Sequence, residues 1–163
     1  HRHPYILREY TTEFFKELYN HNIPILIFSA SIGNLIEEFL KNKSILTPNV
    51  YILSNTFVFD EQGYAVKYKN QIIHSLNKSE TDLTDSKYIN IIKQRNNAIV
   101  LGDKLSDVHM VNKLRTDTVI FIGFLNSDVF EKLEEYKKVY DIIITNDSSM
   151  KYVYDLLNEI IGK

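Results

Sequence analysis

The chain has 163 residues, a mass of 19.1 kDa, a formal net charge of −2 and 44% hydrophobic residues, enough for one buried core without covalent or metal staples. Its pI near 6.2 and its lack of cysteine exclude a basic field for nucleic acid, a disulfide framework, a thiolate zinc site and a cysteine nucleophile. No apolar run approaches the ~18 residues of a membrane span and the opening HRHPYILREY has no signal-peptide apolar core, so the expectation is a cytoplasmic domain with neither nucleic acid nor membrane as partner and with its oligomeric state open.

Ile6, Leu7, Tyr10, Phe14, Phe15 and Leu18 recur at three- and four-residue intervals, which predicts a first helix over 6–19. Pro24 opens the continuous apolar run Ile25-Leu26-Ile27-Phe28, a strand buried on both faces and ending at Ser29. The small residues Ser29 to Gly33 then fall where strand becomes helix, the helix carrying Leu35, Ile36, Phe39 and Leu40 and presenting its N-terminal amides. Val50 to Leu53 is a further strand. Phe57-Val58-Phe59 and Ala65 to Tyr68 flank a turn near Gly63 and predict a β-hairpin. A polar connection, His74 to Lys78, leads to a helix with Tyr88, Ile89, Ile91 and Ile92, and Ala98 to Leu101 is the next strand, stopped by Gly102.

A helix through Val108, Met110, Val111 and Leu114 follows. Strand Thr118 to Gly123, helix Val129 to Tyr136, strand Tyr140 to Thr145 and a final helix through Ile161, capped by Asp147 or Ser148, complete the chain. Strand alternates with helix almost throughout, which predicts an α/β fold: a single Rossmann-like domain over 1–163, a parallel sheet with helices on both faces and a β-hairpin insertion.

Polar groups stand at the carboxyl ends of these strands, where loops diverge and ligands collect in parallel sheets. Asp103 follows the strand Ala98 to Leu101, and Asp107 follows four residues later. Two carboxylates so placed repel unless a hard cation with oxygen ligands, Mg²⁺ above all, sits between them. Ser29 ends an earlier strand and Lys78 lies in the connection between the two. A hydroxyl beside helix amides, an ammonium and a metal-binding carboxylate together describe a site for a phosphoryl group, each neutralising charge on one of its oxygens. Taken singly, Ser29 reads as a turn residue, Lys78 as a solvated lysine and Gly102-Asp103 as a capped strand-to-helix turn. The five histidines form no ligand pair inside a structured segment, and most of the aromatic residues fall on apolar faces and read as core.

The order strand-Ser, Lys, strand-Gly-Asp-x-x-x-Asp resembles the second, third and fourth motifs of the haloacid dehalogenase superfamily. The segments NHNIP, IPILIFSAS, IGNLIEE, PNVYILSNTFVFDEQG, IIHSLNK, LGDKLSD, IGFLN and YDIIIT are similar to those of the cytosolic 5′-nucleotidase III family, the pyrimidine nucleotidases. By that resemblance Ser29 and Ala30 bind the substrate phosphate, Lys78 holds the transferred phosphoryl, Asp103 ligates Mg²⁺ and Asp107 stands behind it. The implied reaction is hydrolysis of a nucleoside 5′-monophosphate through an aspartyl-phosphate. Two departures stand out. Ser31 replaces the family's glycine after Ser-Ala, and the superfamily's first motif, Asp-x-Asp at the end of a strand, is not found: Asp82 and Asp85 follow no apolar run, Asp60 lies in a turn and Asp141 begins a strand. The expectation is therefore the C-terminal part of a longer enzyme, without nucleophile or base-recognising cap and inactive alone, its neighbouring strands left with an unpaired edge. The alternatives are a non-catalytic α/β binding module and a phosphatase for another small phosphate ester.

Overall fold

The computed structural model describes residues 6–69, 72–74, 86–92, 94–111 and 117–163. Their elements run α1 (Thr11–Asn20), β1 (Ile25–Ile32), α2 (Gly33–Asn42), β2 (Val50–Asn55), β3 (Phe57–Phe59), β4 (Ala65–Tyr68), α3 (Ser86–Ile92), β5 (Asn97–Gly102), a 3₁₀ helix (Leu105–Val111), β6 (Thr118–Leu125), α4 (Val129–Tyr136), β7 (Ile142–Thr145) and α5 (Lys151–Ile160). The fold is α/β with parallel sheets, as the alternation predicts.

Period-two alternation along β6 and β7 decides the layers. Ile120, Ile122 and Phe124 of β6, with Ile142 and Ile144 of β7, pack with Phe14 and Leu18 of α1 and Val153 and Leu157 of α5. Phe121 and Leu125, with Ile143, face the opposite way onto Val129, Leu133 and Tyr136 of α4 and onto Leu105 and Val108 of the 3₁₀ helix. Helices thus cover both faces of this sheet. Ile122 and Val153 are wholly buried, and burial of such a side chain contributes roughly 1.5–3 kcal/mol.

The parallel strands fall into two sheets among the described residues, β1 with β2 and β5 with β6 and β7, and the hairpin β3–β4 forms a third, antiparallel one. Ile25 of β1 joins Ile99 and Leu101 of β5 against the α1 and α5 layer. Arg95, two residues before β5, donates to the Asn22 carbonyl, three before β1, at 2.7 Å. The two strands therefore start at the same end of the molecule and share one helical layer, yet among the described residues each pairs on one side only.

Local corrections have local causes. The first helix begins at Thr11, not Ile6, because Tyr10 takes a left-handed backbone (φ 66°) that no helix continues through. β1 runs on through Ser29, Ala30 and Ser31 to Ile32, so these three end a strand, and of the small residues only Gly33, the first of α2, offers a helix N-terminal amide. The segment after Asp103 is 3₁₀, not α, and Leu114 lies outside the described residues. Neither Asp147 nor Ser148 caps the last helix. Asn146 and Asp147 are both left-handed, and α5 starts at Lys151, whose amide donates to Ser149 Oγ at 3.2 Å. The aromatic residues divide: Phe14, Tyr88, Phe124, Tyr136 and Tyr140 are buried, whereas Phe59, Tyr64, Phe130 and Tyr152 are exposed.

Candidate active site

At the carboxyl end of β5 the parallel register sets Gly102 opposite Gly123 of β6, and the Tyr140 side chain occupies the space that two side chains would otherwise fill. A Cβ on Gly123 would lie 2.7 Å from Tyr140 Cδ2, and one on Gly102 2.6 Å from Asp107 Cβ and 2.7 Å from the Tyr140 hydroxyl. Through this gap Tyr140 donates to the Lys104 carbonyl at 2.5 Å, while Tyr136, stacked on Tyr140 with ring centroids 5.4 Å apart, donates to the Asp103 carbonyl at 2.6 Å. Burial, reinforced by the nearby Asp103 carboxylate, holds the Tyr136 hydroxyl above its ordinary range, and burial does the same for Tyr140. Both phenols therefore stay protonated and keep donating.

Asp107 grips the other side of the same turn. It is 3% exposed, and its Oδ2 accepts from the amides of Asp103 and Lys104, each at 3.1 Å. Its charge is thus met by backbone N–H groups, so it orders the turn from beneath and does not itself face solvent. Asp103 is exposed. It lines an open cleft with Lys104, Asn126 and Ser127, the last two from the carboxyl end of β6. An exposed carboxylate on a turn pinned at two amides and two carbonyls has the hard oxygen donors and the fixed position that Mg²⁺ takes.

The end of β1 is held by a different clamp. Asn55, the last residue of β2, donates from Nδ2 to the Ala30 carbonyl at 2.8 Å and to the Ile73 carbonyl at 2.8 Å, and accepts from the Ile73 amide at 2.7 Å. It thereby ties the Ser29-Ala30 segment to the connection that leads toward Lys78. Ser29 Oγ accepts from the Ser31 amide at 3.1 Å, which leaves its O–H proton to donate elsewhere. The structure thus sets Ser29 and Ala30 at the carboxyl end of β1 and Asp103 at that of β5. It puts Asp107 under the Asp103 turn, and Lys78 lies outside the described residues. Asn55, Asn126 and Tyr140 lie inside segments that carry the family resemblance, but no chemical motif singles out these three or Tyr136. Their signal is positional: Asn55 closes β2, Asn126 directly follows β6, Tyr136 closes α4 and Tyr140 stands just before β7. No helix among the described residues is long and apolar enough to cross a membrane.

The family model described as Pyrimidine 5′-nucleotidase (UMPH-1) matches residues 1–161. The human 7-methylguanosine phosphate-specific 5′-nucleotidase is 37% identical over 157 residues, covering 96% of this chain and 52% of the relative. Among solved structures, cytosolic 5′-nucleotidase IIIB (cN-IIIB) bound to cytidine superposes with a TM-score of 0.88 at 33% identity, over 95% of this chain and 52% of that one. A phosphoserine phosphohydrolase-like protein from Francisella tularensis, at 18% identity and a TM-score of 0.63 over 96% of this chain and 65% of that one, shares the haloacid dehalogenase-like fold. The chain spans about half the length of the curated relatives it matches.

Proposed function

The chain belongs to the pyrimidine 5′-nucleotidase (UMPH-1) family, and we propose that it supplies the phosphate- and metal-binding half of a cytosolic, Mg²⁺-dependent nucleotidase that hydrolyses pyrimidine nucleoside 5′-monophosphates. One observation carries this reading: Ser29-Ala30 and Asp103 sit at the carboxyl ends of two strands that start together, share one helical layer and, among the described residues, each pair on one side only. A parallel strand seated between β1 and β5 would complete both edges and bring a carboxylate at its own carboxyl end between the two groups. We assign the nucleophile to such a strand, contributed by sequence outside these residues, with the 163 residues forming the remainder of one core domain.

In this reading the Ser29 hydroxyl and the Ala30 amide donate to non-bridging oxygens of the substrate phosphate, and Lys78 neutralises charge on the phosphoryl as its bond to the nucleoside 5′-oxygen breaks and a bond to the aspartate nucleophile forms, giving an aspartyl-phosphate and the nucleoside, whose 5′-oxygen takes up a proton as it leaves. Asp103 would hold Mg²⁺, which when bound screens phosphate charge against the incoming carboxylate. Asp107, Tyr136 and Tyr140 keep the Asp103 turn in place while that charge moves. Water then releases phosphate from the carboxylate. The relatives named for 7-methylguanosine phosphate favour that nucleotide as a second substrate.

Phosphate release from CMP, UMP and 7-methylguanosine monophosphate by the full-length protein tests the reading. Asp103→Asn should lower Mg²⁺ affinity and turnover together. Turnover indifferent to Mg²⁺ would remove the metal assignment, and no release from any nucleotide would favour a binding module.

A further inference from the structure

Arg8 lies three residues before α1, outside every motif of the site. Its Nη1 donates to the Ser148 carbonyl at 2.5 Å and its Nη2 to Asn126 Oδ1 at 2.8 Å. It also pairs with Asp147 at 2.8 Å, and its guanidinium lies 4.7 Å from the centre of the Phe124 ring. One side chain thus ties together the loops that follow β6 and β7. The second of these loops includes the two left-handed residues Asn146 and Asp147, conformations that non-glycine residues hold only when their surroundings fix them.

The consequence for Asn126 is chemical. A guanidinium has donors and no acceptor, so the carboxamide atom facing it must be the oxygen. The Asn126 amide orientation is therefore set, and its Nδ2 has no partner among the described residues. Asn126 is exposed and lines the same cleft as Asp103. Polarisation of the amide by the guanidinium makes that N–H₂ a stronger donor. We propose that Asn126 is a further phosphate-binding residue, its Nδ2 donating to a non-bridging oxygen of the phosphoryl group beside Asp103, with Arg8 as the positioning residue that turns the amide that way. This rests on the phosphomonoester reading of the site.

Asn126→Asp separates this role from a structural one. The variant keeps an oxygen toward Arg8, now as a charge-assisted pair, and replaces only the cleft-side donor by a negatively charged acceptor. Inorganic phosphate, titrated calorimetrically into the full-length protein with Mg²⁺, should bind Asn126→Asp more weakly by about tenfold or more, the scale of one hydrogen bond to a charged group. Its thermal midpoint should hold or rise. Asn126→Ala should weaken phosphate in the same direction, and Arg8→Lys should recover more of the affinity than Arg8→Ala. Phosphate affinity unchanged in Asn126→Asp overturns the proposal. So does tighter Mg²⁺ binding with phosphate unaffected, or a wild-type protein that binds no phosphate. Wild-type protein that binds phosphate but releases none from CMP or UMP would refute the nucleotidase reading and leave this one standing.

Discussion

Gly123→Ala adds one carbon where the fold has no room for it. The new Cβ would lie 2.7 Å from Tyr140 Cδ2 and 2.8 Å from its Cγ, against an optimum of about 3.5–4.0 Å for carbon pairs. Both atoms are at the base of the ring, so the ring must retreat by about 1 Å with its backbone or leave its rotamer. Overpacking of this kind costs about 1–3 kcal/mol. Retreat also breaks the bond from the Tyr140 hydroxyl to the Lys104 carbonyl, 2.5 Å in length, for a further ~0.5–1.5 kcal/mol. The lower conformational entropy of alanine returns less than about 1 kcal/mol. Urea denaturation of the full-length protein should therefore show a loss of about 0.5–4.5 kcal/mol. In a Tyr140→Ala background the obstructing ring is gone, and the same substitution should cost under about 1 kcal/mol, a coupling that a double-mutant cycle reads directly. Equal cost in the two backgrounds would show that Tyr140 is not what the glycine makes room for.

Asp107→Asn keeps the shape of a buried side chain but makes neutral the two hydrogen bonds it accepts from Asp103 and Lys104; a stability loss of about 1.5–3 kcal/mol and weaker calorimetric Mg²⁺ binding by a folded protein are expected, and an unchanged Mg²⁺ titration would contradict its positioning role. Tyr88 is 7% exposed, and burial raises its hydroxyl above the ordinary value of 10.0. The folded state then holds that proton more tightly than the unfolded one, so its contribution is complete below pH 10.0 and fades as pH climbs above it. Tyr88→Phe should flatten the fall of the urea midpoint at alkaline pH; an identical slope in the variant would assign that fall to other groups.

The strands were legible because burial on two faces writes itself as short apolar runs: Ile25 to Phe28, Val50 to Leu53 and Ile142 to Ile144 lie within observed strands. Element ends were less so. Nothing in the Ile6 to Leu18 periodicity reports the left-handed backbone of Tyr10, and the run of small residues Ser29 to Ser31 fits a strand end as well as a helix start. Reagents showed more clearly than frame. Asp103 and Ser29 stand beside apolar runs that mark them, whereas Asp107 accepts from two backbone amides, a relation that no side-chain pattern encodes. The two carboxylates, spaced as if to share a cation, are separated by burial: one is exposed and the other lies beneath the turn.

The groups that fix the carboxyl edge come from all along the chain: Arg8 before the first helix, Asn55 at the end of β2, and Tyr136 and Tyr140 beyond β6. Each reaches a main-chain carbonyl, of Ser148, Ala30, Asp103 or Lys104 respectively. Carbonyls on diverging loops need donors, and where the sheet ladder stops only side chains from elsewhere can supply them. Each clamp can thus be satisfied by any residue with a donor at the right reach, which leaves it without a motif. A functional defect from substituting one of these four should consequently take the form of weakened phosphate or metal binding, even though none of the four contacts either group.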